Sequence, residues 1–247
     1  MKISIVTVTY NCVSVLEQCL DSVVAQSYKN VEHAVIDGAS TDGTLDVLQA
    51  HFRQLAVLVS EPDNGIYEAL NKGFSLSTGD IVGILHSDDC FYDSTVLARV
   101  AAAFEDPDVD YVYGDIEMVR HDGRVARYWK TGKFPDGRIT RAQIPHPALF
   151  LSRRLINQLN PVFDSSYRIS ADLKQQLIFA NLLRVRGAYI PQPLVRMRIG
   201  GMSTSNLSSY LLGWKESCRA WNEVHGSGGT FFVVKKVLSK LSGIRFL

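Results

Sequence analysis

An α/β fold, with a mostly parallel sheet and helices on both its faces, is predicted for this 247-residue chain. Three observations carry the prediction. β-branched runs alternate with helical patterns of roughly 10 to 14 residues through the first half, which is the pattern of βα units. Apolar residues make up 46% of the chain against 21% charged, enough to fill a large core. The length suits one large α/β unit and would crowd two independent cores.

The elements follow in order. ISIVTVT, residues 3–9, reads as a strand, and Ser14 with Glu17 fits a capping box opening a helix with Leu16, Cys19, Leu20, Val23 and Val24 on one face. VEHAVIDG, residues 31–38, is a second strand ending at Asp37, followed by the helix TLDVLQAHF. LAVLVSE, residues 55–61, is a third strand; Asn64 and Gly65 break it, and IYEALNKGFSLS is a helix with Ile66, Leu70, Gly73 and Phe74 inward. DIVGIL is the fourth strand, followed by the helix STVLARVAAAF. Beyond residue 105 the pattern changes. YVYGDIEMV and RVARYWK form a hairpin turning at Asp122-Gly123. Then come a strand ALFLS, a short helix SRRLINQL, a helix SADLKQQLIFANL with Ser170 as its N-cap, a strand LVRMRI, a loop GGMSTSN and a long helix from Leu207. No low-complexity linker separates the halves, so residues 1–228 are expected to be one domain, with 229–247 a tail.

In parallel sheets ligands bind beyond the carboxyl ends of the strands. Asp37, Glu61, Asp88 and Asp89 all fall at or just past such ends. The pair Asp88-Asp89 in ILHSDD could simply cap the next helix, but Asp93 and Ser94 stand closer to that helix and take the role. Adjacent carboxylates at a water-poor edge repel unless a cation neutralises them, and hard oxygen ligands favour Mn2+ or Mg2+. Such an ion takes further ligands from water and substrate phosphates, so a metal-diphosphate site is expected there.

The segments ISIVTVTYN, IDGASTDGT and EPDNGIYEALNKGFSLSTGDIVGILHSDD, in this order, resemble the family 2 glycosyltransferases of GT-A fold across residues 1–115; HPALF, SADL and GGMS extend the likeness more loosely. The resemblance implies a nucleotide-sugar-binding half, 1–115, and an acceptor half, 116–228. It implies that Thr7, Thr9, Tyr10 and Asn11 line the nucleotide pocket, that Asp37 contacts base or ribose with Ser40 and Asp42 nearby, and that Asp63 and Lys72 lie where the site closes over the nucleotide. The DxD motif corresponds to Ser87, Asp88 and Asp89. Its first acid is a serine here, so Asp89 is the expected metal ligand and Asp88 a contact to the donor sugar or ribose. The same likeness places the general base at Asp172, preceded by Ala171 where the family commonly has Glu. As a bare residue, Asp172 also suits the first turn of a helix through the dipole alone. His146, between two prolines, is a candidate contact to acceptor or diphosphate, and Gly200, Gly201 and Ser203 a loop able to hold the diphosphate, although an ordinary turn fits that loop equally well.

The expected activity is metal-dependent, inverting transfer of one sugar from a nucleotide-diphosphate sugar, a UDP-sugar first, to a saccharide acceptor on a polyprenyl-diphosphate or similar carrier, in polysaccharide assembly. A catalytically silent sugar-nucleotide-binding protein is the alternative. A sugar-1-phosphate nucleotidyltransferase would show a Gly-rich, Arg-containing loop after the first strand, and TYNCVSVLEQ is not one. Processive polymer synthases of the family carry QxxRW, which is absent. The formal charge of +1 gives no global case for nucleic acid. Cys12, Cys19, Cys90 and Cys218 show no metal spacing and read as reduced thiols, and no secretory signal or membrane-spanning run is visible, so a cytoplasmic protein is expected. The tail, with Lys235, Lys236, Lys240 and Arg245 among apolar residues at helical spacing, suits either packing on the domain or contact with the inner face of the cell membrane.

Overall fold

The structure, a computed structural model, describes residues 1–200 and 207–242. The elements run β1 (Ile3–Thr9), α1 (Val13–Val24), β2 (Val31–Asp37), α2 (Thr44–Ala50), β3 (Val57–Ser60), α3 (Ile66–Leu76), β4 (Ile81–Ile84), β5 (Cys90–Phe91) and α4 (Val96–Ala103). The second half contributes β6 (Val109–Val119), β7 (Val125–Trp129), β8 (Leu149–Ser152), α5 (Arg153–Ile156), α6 (Ala171–Leu177), β9 (Arg186–Arg198), α7 (Leu207–His225) and α8 (Gly229–Ser242).

All seven residues of β1 are buried, which explains why its sequence is a continuous β-branched run: helices cover both faces. Val6 and Val8 join Leu70 and Phe74 of α3 in one cluster, while Ile3 and Ile5 join Cys19 and Val23 of α1 in the other. Gly73 is what lets α3 lie so close to β1, since a Cβ there would sit 2.3 Å from Val6 Cγ1.

The sheet runs β3-β2-β1-β4-β8-β6-β9-β5, with β7 beside β6. β1 to β4 are parallel, as the βα repeat requires, and so is the long β6–β9 ladder. β8 enters antiparallel to both β4 and β6. The DIVGIL strand therefore lies centrally, where the parallel half meets the mixed half, and the residues that follow it emerge at the carboxyl edge. The predicted hairpin forms, with Gly123 at φ +79° in its turn.

Two local expectations need correction. Cys12, whose side chain makes no cap bond, occupies the N-cap of α1, so no Ser14/Glu17 capping box forms. The first backbone donors of α1 are instead met by the neighbouring loop: Cys12 N donates to Thr44 Oγ1 at 2.9 Å and Val13 N to Asp42 Oδ2 at 3.1 Å. Ser170 does hold the N-cap position of α6, but its hydroxyl makes no cap bond. Within the tail, Gly229–Ser242 form α8, which packs on α7 through Phe232, 1% exposed and stacked on Trp221 at 4.5 Å; Arg245 lies outside the described residues.

Candidate active site

A cavity of about 920 Å³ opens at the carboxyl edge of the parallel strands. Thr9, Tyr10 and Asn11 line it from the end of β1, Asp63 from the loop before α3, and Ser87, Asp88 and Asp89 from the turn after β4. His146, Arg168, Ile169 and Asp172 line it from the second half, with Met118, Met197 and Arg198 from β6 and β9. Strand periodicity accounts for the first group, because a residue just past a strand end points beyond the sheet rather than into a flanking helix layer. Asp63 is seated by Gly38, where a Cβ would come within 2.8 Å of its carboxylate.

Asp89 is 3% exposed, and its side chain accepts one hydrogen bond among the described residues, from Arg198 N at 3.1 Å. Burial, and then the like charge of Asp88, push its carboxyl well above the usual range; the Arg198 N–H and guanidinium oppose this without prevailing. A carboxylate so placed is stable in its charged form when a cation sits beside it. Among the described residues no cluster of three His, Cys, Asp or Glu could hold a metal. An ion here would rest on Asp89 with Asp88 and draw its other oxygens from substrate and water, the habit of Mg2+ and Mn2+. The donor set fits such an ion.

Asp172, 6% exposed, opens α6. Its Oδ2 accepts from Gln143 Nε2 at 3.1 Å and lies 3.5 Å from His146 Nδ1. Burial pushes its pKa up, but the His146 contact, the charges of His146 and Lys236 and the Leu173 N–H outweigh it, leaving the carboxyl below its ordinary value. Asp172 is thus a buried carboxylate that stays ionised at neutral pH. His146 Nε2 in turn meets His86 Nε2. Burial, joined by the charge of His146 and opposed by that of Asp172, drives His86 down to about 3, so this ring is neutral. The fold places His86 against His146, between the Asp88-Asp89 turn and Asp172.

Several residues implied by the resemblance stand away from the cavity. Thr7 is fully buried and its hydroxyl pairs with His33 Nε2 at 2.9 Å. Asp37 is also fully buried. Its Oδ1 accepts from the Thr9 and Ser40 hydroxyls at 2.9 and 2.5 Å, its Oδ2 from Ser40 N and the Ser60 hydroxyl at 2.9 and 2.8 Å. Four bonds saturate a carboxylate, so Asp37 knits the ends of β1, β2 and β3 together rather than facing a base or ribose. Ser40 is used up in this network and in accepting from Asn11 N. Asp42 holds the starts of α1 and α2. Lys72 pairs with Glu61 outside the cavity lining. Ser203 and Gly201 lie outside the described residues; Gly200, at φ +113°, reaches the lining. In sequence Arg198 is one residue of the LVRMRI strand; its place at the cavity comes from the β9 register beside β5.

A mostly parallel α/β sheet with helices on both faces and a cavity at the carboxyl edge of its strands is the architecture of the GT-A glycosyltransferases. The family model for glycosyl transferase family 2 matches residues 4–172, and the chain belongs to that family. A PGL/p-HBAD biosynthesis glycosyltransferase of Mycobacterium bovis is 36% identical over 174 residues, 68% of this chain; the match spans 66% of that relative's own length. Among solved structures, S. aureus TarS 1-349 in complex with UDP-GlcNAc superposes with a TM-score of 0.71 at 16% identity, covering 98% of this chain and 73% of that one. The mannosyltransferase PcManGT from Pyrobaculum calidifontis in complex with GDP-Man and Mn2+ gives 0.69 at 18% identity, covering 99% and 76%. At these identities the two structures share the fold.

Proposed function

We propose that the chain is an inverting glycosyltransferase that moves a single sugar from a nucleotide-diphosphate sugar, a UDP-sugar first, to a lipid-linked saccharide acceptor. The observation that carries the reading is the presence, in one cavity, of the Asp88-Asp89 pair and an ionised buried Asp172. The acceptor hydroxyl oxygen attacks the anomeric carbon, forming the new C–O bond. Asp172 accepts the hydroxyl proton, and the bond from that carbon to the diphosphate oxygen breaks with its electron pair leaving on the nucleoside diphosphate. Asp89, with Asp88, would hold Mn2+ or Mg2+, which supplies charge stabilisation to the departing diphosphate. Gln143 and His146 keep the Asp172 carboxylate turned toward the cavity. TarS and PcManGT, as described, bind UDP-GlcNAc and GDP-Man, which supports a nucleotide-sugar donor. The exposed stripe Phe231, Val234 and Leu238 on α8 supports a lipid-borne acceptor at a membrane surface. No described helix is long and apolar enough to cross a bilayer.

The test is transfer from a panel of nucleotide sugars, to free and lipid-linked saccharides, with manganese or with chelator, comparing wild type and Asp172→Asn. Loss of about 10³-fold in transfer, with donor binding retained in a thermal-shift titration, is expected for the variant. Transfer at the wild-type rate by Asp172→Asn would refute the base assignment, and wild-type binding without transfer to any acceptor would leave a silent binding protein.

A further inference from the structure

Glu216 lies on α7, beyond the residues that the family model matches. It is 7% exposed, and its two oxygens accept three successive backbone N–H groups: Arg168 N at 2.8 Å on Oε1, Ile169 N at 2.8 Å and Ser170 N at 2.9 Å on Oε2. Those three residues lead directly into α6. Ser170, the residue that would ordinarily cap this helix, turns its hydroxyl to Gly213 O, also on α7. The entry to α6 is therefore fastened by one carboxylate from a distant helix. Arg168, Ile169 and Asp172 all line the cavity, so the fastened segment is the one that presents this wall to a substrate.

We propose that Glu216 is a positioning residue for Asp172, setting the placement of the α6 entry so that the base meets the acceptor hydroxyl; this rests on Asp172 being the base. A charge-assisted carboxylate with three N–H donors is a stiff clamp, and its two oxygens serve different residues, which fixes rotation as well as distance. Glutamine keeps one acceptor oxygen and directs an NH2 group at N–H donors, so at least one bond is lost while the side chain keeps its volume. Small misplacements of a base cost rate more than they cost binding of a donor held mainly on the other walls.

The experiment measures Glu216→Gln and Glu216→Asp in the full chain, each assayed below its unfolding midpoint and corrected for folded fraction. For Glu216→Gln, kcat is expected to fall about 10- to 100-fold while donor KM and donor binding stay within about twofold. Glu216→Asp, which keeps the charge but shortens the reach, should fall between wild type and Gln. Added to Asp172→Asn, the Gln change should cost the residual rate nothing further, because there is no base left to position. A folded Glu216→Gln with unchanged kcat overturns the proposal. So does a parallel loss of kcat and donor affinity, which is the behaviour of a residue that only holds the fold. If Asp172→Asn transfers at the wild-type rate the base assignment itself fails, whereas a dead Asp172→Asn beside a fully active Glu216→Gln sinks only the role of Glu216.

Discussion

Asp89 and Asp172 line the same cavity but are held there by different means. Asp89 follows a strand whose register is set on both sides, by β1 and by β8, and the turn is closed locally by Asp89 N donating to His86 O at 3.0 Å. Asp172 sits in the first turn of α6, which runs on as a π-helical turn from Ile178 to Leu182 and is still too short to be stable by itself. Its position comes from Gln143 and His146 on one side and, on the other, from Glu216 and Gly213 of α7, which α8 supports in turn. One wall is made by the sheet, the other by side chains that arrive from far along the chain.

The sharpest way to break this comparison is Phe232→Ala. The ring is buried under α7, and its removal should cost about 3 to 5 kcal/mol as transfer and cavity terms combine. If the walls are built as described, hydrogen exchange will show amides of α6, α7 and α8 losing protection while those of β1, β2 and β4 keep theirs. Equal loss across both sets would mean that the walls unfold as one unit.

The same division explains what could be read from sequence. The position of Asp88 and Asp89 at the cavity edge was legible because the strand pattern places them without knowledge of any distant contact, and that of Thr9 and Asn11 through the family resemblance. His86 was not, since its meaning comes from His146, sixty residues on and in another element. Glu216 was invisible for the same reason: a glutamate inside a long amphipathic helix looks like a solvated charge until the fold brings the α6 entry to it. Asp37 shows the opposite failure. Its place at the end of β2 was legible, yet the hydroxyls that absorb its bonds come from β1, β3 and the following loop, and sequence cannot say whether a strand-end acid faces outward or ties neighbours together.

A smaller effect tests the sheet-built wall from its far end. Glu32, on β2, accepts from Ser4 Oγ, Thr78 N, Thr78 Oγ1 and Lys2 Nζ. Burial works against its charge, but these bonds outweigh it and bring its pKa from 4.5 to about 2. A carboxyl whose folded pKa is depressed stabilises the protein above its unfolded pKa and loses that contribution as pH falls through the folded one. Glu32→Gln should therefore be less stable than wild type by roughly 2 kcal/mol at pH 7, allowing for screening of the half-exposed Lys2. The gap should close between pH 4.5 and about 2 in denaturant titrations. A gap that does not vary with pH would mean that packing, not charge, holds this end of the sheet.

The smallest effect concerns Lys72, where resemblance and geometry diverge. The family likeness puts this lysine near the closing nucleotide, whereas the fold turns its ammonium to Glu61, with side chains 24% and 52% exposed. Exposed pairs of this kind contribute little, so Lys72→Met should change stability by less than about 0.5 kcal/mol. If the donor wall is made by strand ends alone, donor affinity should also hold within about twofold, because no lining contact is removed. A tenfold loss of donor affinity, about 1.4 kcal/mol, would instead show that Lys72 leaves Glu61 for the diphosphate when the donor binds. The sheet-built wall would then owe part of its chemistry to a side chain that must move, and in that respect it would resemble the α6 wall.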